Sequence, residues 1–325
     1  LAEQLGEAVA RPFVSGDHVI TFACRMGGTE IEPGEHDPAQ LLRRASTALA
    51  DAKGSEGAAP HLLDTSGLAR SEVASRLEID LRTALEKDQI EVLFQPQLSI
   101  TTGAMIGVEA LARWRHPLLG ELGAGPLFAA ADRSEFLVPL SRHVQRKALE
   151  TAAAHPEIFR DLRLSINVTA ADIAQPDFAA QFLAMIDESG FDRDRVTVEV
   201  TESGLIEDLS TAAELLAQLR EAGLRIAIDD FGTGYSSLAY LKALPLDYLK
   251  IDPQLSQDIS GSSRDRVVVT GVVEMARSLG LSVVAEGVEN EEQLSRLAEA
   301  GCNFYQGFIF SPPVSVDALA QLACG

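Results

Sequence analysis

Carboxylates, side-chain amides and one lysine follow short apolar runs throughout this sequence. Ile106-Gly107-Val108 leads into Glu109, Leu164-Ser165-Ile166 into Asn167, and Val196-Thr197-Val198 into Glu199, with Glu202 three residues on. Ile226-Ala227-Ile228 leads into Asp229-Asp230, and Tyr248-Leu249 into Lys250 and then Asp252. Val283-Val284-Ala285 leads into Glu286, with Glu289 three residues on, and Phe304-Tyr305 into Gln306. Oxygen donors of this kind suit hard divalent cations such as Mg²⁺ or Mn²⁺. Many of them sharing one pocket would need such cations, because buried charge is costly without a partner. Taken singly, each position has a plainer reading. An acid after a strand is commonly a helix cap or a loop solubiliser, and Asp229-Asp230 before Phe231-Gly232-Thr233-Gly234 has the composition of a turn. Lys250 alone reads as a surface lysine, and Gln306 alone means little. The recurrence across seven runs is what points to a metal site.

Other chemistries find less support. His18, His36, His61, His116, His143 and His155 show no ligand spacing, which argues against zinc. There is no Gly-x-Ser-x-Gly elbow and no Cys–His pair, so covalent catalysis is disfavoured. Cys24, Cys302 and Cys324 are scattered and read as reduced structural thiols of a cytosolic protein. The 325 residues carry 48 acidic and 27 basic side chains, a net charge of −21, which argues against a nucleic-acid polymer as partner. A small anion remains compatible, because bound cations reverse the local field. No apolar stretch approaches the roughly 18–20 residues of a membrane span. The amino terminus lacks the layout of a signal peptide. Since the chain begins at Leu1 rather than Met, it is expected to be part of something longer.

These polar residues need elements to position them. Strand-like runs at Val92–Gln95, Ile106–Leu111, Leu162–Asn167, Val196–Val200, Arg225–Asp229, Tyr248–Ile251, Ser282–Ala285 and near Phe304 alternate with helical stretches. The helices are expected over Ser141–Ala154, Phe178–Ser189, Thr211–Ala222, Arg264–Leu279 and Glu291–Ala300, with Gly190, Gly223, Gly280 and Gly301 placed to end helices. Eight strands with crossover helices suggest a closed (β/α)8 barrel, which would bring the carboxyl ends of the strands to one face. An open doubly wound sheet is the rival, although no GxGxxG opens a helix after the first strand.

Residues 1–66 read as a separate small α+β segment. Leu5–Val9 look helical, His18–Ala23 strand-like, and Asp37-Pro38 opens a helical stretch through Lys53. Gly27-Gly28-Thr29-Glu30 reads as a turn, and Gly54–Pro60 as a boundary. Residues 67–88, with Val73, Leu77, Leu81 and Leu85 four apart, are expected to form a linker or first helix, leaving 89–325 as the main domain.

The polar strand ends also fall in recognisable motifs. Glu109-Ala110-Leu111 with Arg113-Trp114, Asp229-Asp230-Phe231-Gly232-Thr233-Gly234-Tyr235-Ser236-Ser237, Lys250-Ile251-Asp252, Glu286-Gly287-Val288-Glu289 and Gln306-Gly307-Phe308 resemble the EAL-domain family of cyclic di-GMP phosphodiesterases. The resemblance runs from about Arg76 to the carboxyl end, with every motif in family order. It implies a TIM-like barrel whose first strand is antiparallel to the rest. It also implies a metal-dependent enzyme that opens cyclic di-GMP to linear pGpG in bacterial signalling. By motif, Glu109, Asn167, Glu199 and Asp229 would hold one divalent cation, and Asp229, Asp230 and Glu286 a second. Lys250 would contact or orient the attacking water, and Gln306 would order water or substrate. Gln95 and Arg113 would contact substrate, Glu202 would anchor the loop Phe231–Ser237, and Glu289 would support the site from behind. The family commonly pairs near the loop after Asp230, which implies a homodimer. Two rivals are a catalytically silent cyclic di-GMP receptor, which loss of a metal ligand would favour, and an enolase-type barrel.

The sequence departs from the family pattern over Ala124–Glu135, where Asp132 replaces a glutamate and Glu135 stands at a usual glycine. After Lys250-Ile251-Asp252, Pro253 and Leu255 replace the usual basic and aromatic residues, which reads as altered packing. The first segment resembles the carboxyl-terminal part of a GGDEF (diguanylate cyclase) domain through Arg11-Pro12-Phe13, Arg25-Met26-Gly27, Pro33 and Leu41-Leu42-Arg43-Arg44-Ala45. It lacks the signature loop, so no cyclase activity is expected of it.

Overall fold

A computed structural model describes residues 65–201, 209–232 and 238–323, the short stretches 13–15, 18–20, 27–29 and 61–63, and residues 46 and 49. The chain divides into two compact units, Leu1–Asp80 and Leu81–Gly325. In the first, β1 (Phe13–Ser15) and β2 (His18–Ile20) form an antiparallel hairpin, and β3 (Gly27–Thr29) pairs in parallel with β4 (His61–Leu63). Gly27–Thr29 is therefore a strand and not the turn its composition indicates. A parallel partner about thirty residues away supplies its backbone bonds, and local composition carries no trace of that partner. Ser46 and Leu49, inside the expected helix, are helical. The expected helix Leu5–Val9 lies outside the described residues. The helix Thr65–Glu86 begins earlier than the apolar spacing indicates, and Leu77, Leu81 and Ala84 are buried among its described side chains.

The second unit is a closed barrel. Its strands are β5 (Ile90–Ser99), β6 (Met105–His116), β8 (Arg163–Val168), β9 (Val196–Thr201), β10 (Arg225–Phe231), β11 (Tyr248–Ile251), β12 (Ser282–Ala285) and β13 (Phe304–Tyr305). From β6 to β13 neighbours pair in parallel, while β5 is antiparallel to both β6 and β13 and closes the ring. The short β7 (Gly120–Leu122) extends β6 as a hairpin outside the ring. The open doubly wound alternative is excluded by this closure.

Period-two alternation explains the barrel's two surfaces. Val108, Ile166, Val198, Ile228, Leu249 and Val283 are buried in one continuous layer with Leu149, Phe182, Leu216, Val273 and Leu297 of the surrounding helices. The alternate residues point into the barrel, where polar side chains stand among apolar ones such as Ala227 and Val284. Gln97, Ser165, Thr197, Glu199 and Lys250 line its lower interior and leave only about 20 Å³ of space there. β5 is longer than its apolar run because Gln97 belongs to this inner row, next to buried Leu98.

The helices fall close to their expected places: Leu137–Ala154, Phe178–Ser189, Leu209–Glu221, Ser263–Ser278 and Glu291–Ala300. Gly190, Gly223, Gly280 and Gly301 all have positive φ, between 79° and 105°. The departure at Ala124–Glu135 forms a helix, Ala124–Arg133, with Leu127, Ala130 and Ala131 buried. The Phe136 amide donates to Ala131 O at 2.9 Å, and Glu135 between them has φ +61°. That is the left-handed position where glycine normally ends a helix. Among the described residues, no helix is long and apolar enough to cross a membrane.

Candidate active site

The strand ends converge on Lys250. Its Nζ lies 2.6 Å from Glu199 Oε2, 2.7 Å from Glu286 Oε1, 3.0 Å from Asp229 Oδ1 and 3.2 Å from Glu109 Oε2. Gln306 Nε2 donates to Glu109 Oε2 at 2.7 Å and to Gln95 Oε1 at 3.0 Å, and Asn167 Nδ2 donates to Glu109 Oε1 at 2.8 Å. Strand register produces this gathering. Gln95 lies opposite Glu109 across β5–β6, and Asn167 opposite Glu199 across β8–β9.

Asp229 and Asp230 are adjacent, so a regular strand would send their side chains to opposite faces. Asp230 instead has φ +54°, and the β10–β11 pairing slips between Ile228 and Phe231. A bulge of this kind re-aims side chains, and both carboxylates reach the same cleft. Asp is one of the residues that tolerates the left-handed region.

Two groups of carboxylates have one oxygen each within 4.8 Å of the others: Glu109, Glu199 and Asp229, and then Asp229, Asp230 and Glu286. All oxygen donors, and buried apart from the half-buried Asp230, they fit a hard divalent cation. Electrostatics agrees. Burial, opposed by Lys250 and reinforced by Glu109 and Asp229, pushes the Glu199 carboxyl up to about 8. Burial likewise raises Asp229 and Asp230, and it raises Glu286 well above the usual carboxylate range. Burial also works against charge on Glu109, but Lys250 and the bonds from Gln306 and Asn167 hold it below its ordinary value. Lys250 is 1 % exposed; burial would lower it, yet the four carboxylates around it raise it well above the usual lysine range.

The cleft above the cluster encloses about 420 Å³ and is lined by Gln95, Glu109, Asp229, Asp230, Glu286, Gln306 and, at its rim, Glu289, Pro253 and Phe308. Two glycines permit its walls. Gly287 has φ +62°, and a Cβ there would sit 2.6 Å from Pro253 Cβ; one on Gly307 would sit 2.1 Å from Val288 O. A larger depression of about 490 Å³ lies at the start of β10, but its Arg220 and Arg225 are already paired with Asp247 at 3.2 and 2.9 Å.

Glu109, Asn167, Glu199, Asp229, Asp230, Lys250, Glu286, Gln306 and Gln95 are thus brought together. Arg113 is half-buried on β6, donates to the carbonyl of Ala112 at 2.8 Å, and is not among the residues that line the cleft. Glu289 is exposed at the rim, and its amide donates to Gln293 Oε1 at 2.8 Å. Glu202 and residues 233–237 lie outside the described residues. Cys302 is a core group whose thiol burial pushes up to about 12; Cys24 and Cys324 lie outside the described residues. Gln97 was not singled out in the sequence, yet it donates to Gln306 Oε1 at 3.1 Å. The Gln-Pro-Gln run was its signal, since residues two apart on a strand share a face.

Fold and site define an α/β barrel with a buried acidic centre suited to divalent cations. Residues 78–313 match the EAL domain, and the chain belongs to that family. NbdA of Pseudomonas aeruginosa, named a cyclic di-GMP phosphodiesterase, is 33 % identical over 323 residues, covering 99 % of this chain and 41 % of that protein. MucR of the same organism, named a bifunctional diguanylate cyclase/cyclic di-GMP phosphodiesterase, is 32 % identical over 325 residues, covering 98 % of this chain and 47 % of MucR. The chain spans about half the length, or less, of the curated relatives it matches. Among solved structures, the PaMucR phosphodiesterase in complex with c-di-GMP is similar with a TM-score of 0.71 and 36 % identity, over 75 % of this chain and 99 % of that one. The EAL domain of Mycobacterium smegmatis DcpA is similar with a TM-score of 0.59 and 32 % identity, over 72 % of this chain and 96 % of that one.

Proposed function

We propose that this chain hydrolyses cyclic di-GMP to linear pGpG, with Mg²⁺ or Mn²⁺ as cofactor, in bacterial second-messenger signalling. The observation that carries the reading is the gathering of Glu109, Glu199, Asp229, Asp230 and Glu286 around Lys250 at the open end of an EAL barrel. Five carboxylates against one ammonium leave four negative charges, which two divalent cations balance. Glu109, Asn167, Glu199 and Asp229 would hold one cation, and Asp229, Asp230 and Glu286 the other. Such a pair supplies activation of water and charge neutralisation at a phosphodiester.

The chain's own residues do the rest. Lys250, fixed by its carboxylates, places positive charge where the transition state gains negative charge and orients the attacking water. Gln306, itself held by Gln95 and Gln97, orders water or substrate beside Glu109. Gln95 contacts the substrate from the cleft wall, and Arg113 meets a phosphate after its side chain leaves the Ala112 carbonyl. By the family resemblance Glu202 would anchor the loop after Asp230, and Glu289 would support the site from behind. The closed barrel floor restricts substrate to the carboxyl-end face. Residues 1–66 are a GGDEF-like segment, 67–88 a linker helix, and the protein acts in the cytoplasm as a homodimer that does not bind nucleic-acid polymer.

The test is chromatography of cyclic di-GMP after incubation with purified chain and Mn²⁺ or Mg²⁺, beside Glu109→Ala. Linear pGpG from the wild type, lost in the variant, is the expected result. Binding of cyclic di-GMP with no turnover would replace the enzyme by the silent receptor. Light scattering in the same buffer checks for the homodimer.

A further inference from the structure

Three polar side chains are buried behind the carboxyl end of β8 and take no part in the cluster around Lys250. Ser141 and Gln145, one turn apart on the helix Leu137–Ala154, and Asp172, just after β8, are each 2 % exposed. Asp172 Oδ2 accepts from the Ser141 hydroxyl at 2.5 Å, the Thr169 hydroxyl at 2.8 Å, the Thr169 amide at 2.9 Å and Gln145 Nε2 at 3.4 Å. Gln145 Nε2 also donates to Ser141 Oγ at 2.9 Å and to the backbone carbonyl of Asn167 at 3.3 Å.

Helix capping does not call for this much buried polarity. The capping box of the short helix Ala170–Ile173 needs only Thr169 and Asp172, and Ser262 and Asn290 cap longer helices as exposed residues. Burying a carboxylate is costly unless its bonds are filled, and apolar replacements of similar volume often serve stability as well or better. What the cluster achieves is placement. It holds the backbone at both ends of the tripeptide Asn167–Thr169: Gln145 at the Asn167 carbonyl, and Asp172 at the Thr169 amide. The Asn167 side chain, on the barrel side, donates to Glu109 Oε1 at 2.8 Å.

We propose that Asp172, together with Ser141 and Gln145, is a positioning residue that fixes the end of β8 so that the Asn167 amide faces Glu109 and a divalent cation. This rests on the reading of Asn167 as a cation ligand. Groups that orient ligands from behind change metal affinity by about 10–100-fold when removed.

The experiment is Mn²⁺ titration of the full chain by calorimetry, with thermal melting of every variant. Asp172→Ala is expected to weaken Mn²⁺ binding about tenfold, and Asp172→Asn, which keeps an acceptor oxygen, to restore most of it. In an Asn167→Ala background, Asp172→Ala is expected to cause no further loss, because the group it positions is gone. If Asp172→Ala does not fold, Gln145→Leu, close in volume, tests the same linkage and should weaken binding severalfold. Unchanged Mn²⁺ affinity in both Asp172→Ala and Gln145→Leu would overturn the proposal. So would an undiminished further loss in the Asn167→Ala background, which would mark a general loss of fold. If Asn167→Ala alone binds Mn²⁺ as the wild type does, the ligand reading itself fails and the proposal with it.

Discussion

At the scale of single residues, Lys250 and Glu135 make opposite predictions. Lys250→Met keeps most of the side-chain volume but removes the ammonium shared by four carboxylates. The turnover number for cyclic di-GMP should fall about 10²–10³-fold, as for loss of other preorganised charge-stabilising donors; steady-state kinetics with Mn²⁺ checks this. Glu135 sits at φ +61° at the end of Ala124–Arg133, and none of that helix lines the cleft. Glu135→Gly should therefore stabilise the fold by about 0.5–1 kcal/mol, the left-handed penalty less the added freedom of the unfolded chain. Urea denaturation measures the gain, and turnover should not change. The family's usual glycine there is thus a matter of backbone conformation, and the departure carries a stability cost without reshaping the cleft.

Among the elements, close backbone crossings are as informative as side chains. A Cβ on Gly307 would lie 2.1 Å from Val288 O and 2.3 Å from Val288 N, beside the bond from the Val288 amide to Gln306 O at 3.2 Å. Gly307→Ala should destabilise by at least about 2 kcal/mol and lower turnover too, since Gln306 would shift from Glu109. Gly190→Ala makes the comparison: φ is +80° but nothing lies within 4 Å, so only about 1 kcal/mol and no activity should be lost. Melting curves and turnover for the pair separate the two effects. Elements also show how far the sequence could be read. Glu109, Asn167, Glu199, Asp229 and Glu286 were legible because each follows a short, largely apolar run. The inward turn of Asp230 was not, because it depends on a bulge between β10 and β11. Gln97 was hidden because a polar residue after Pro96 looks like the end of a strand. The strand Gly27–Thr29 was misread because its partner is distant, and the reversed direction of β5 came from family resemblance, since alternation is the same in both directions.

For the whole molecule, the acidic centre couples stability to pH and cations. Burial first, and then their mutual repulsion, raises Glu199, to about 8, and Asp229, Asp230 and Glu286. In the folded chain these groups hold protons that the unfolded chain has released, so stability falls as pH rises from about 5 to 8. With EDTA present, the melting temperature should be lower at pH 8 than at pH 5.5. Added Mn²⁺ should raise it more at pH 8, where fewer protons compete; scanning fluorimetry at the two pH values checks both statements. The reversed β5 has a separate consequence at this scale. In an all-parallel barrel the first strand starts at the end remote from the chemistry. Here Ile90 pairs with Trp114 on the carboxyl side of β6, and five residues later Gln95 is already opposite Glu109. The chain therefore enters the barrel beside the cleft mouth, and about 17 Å of extended backbone separates the point of entry from Glu109.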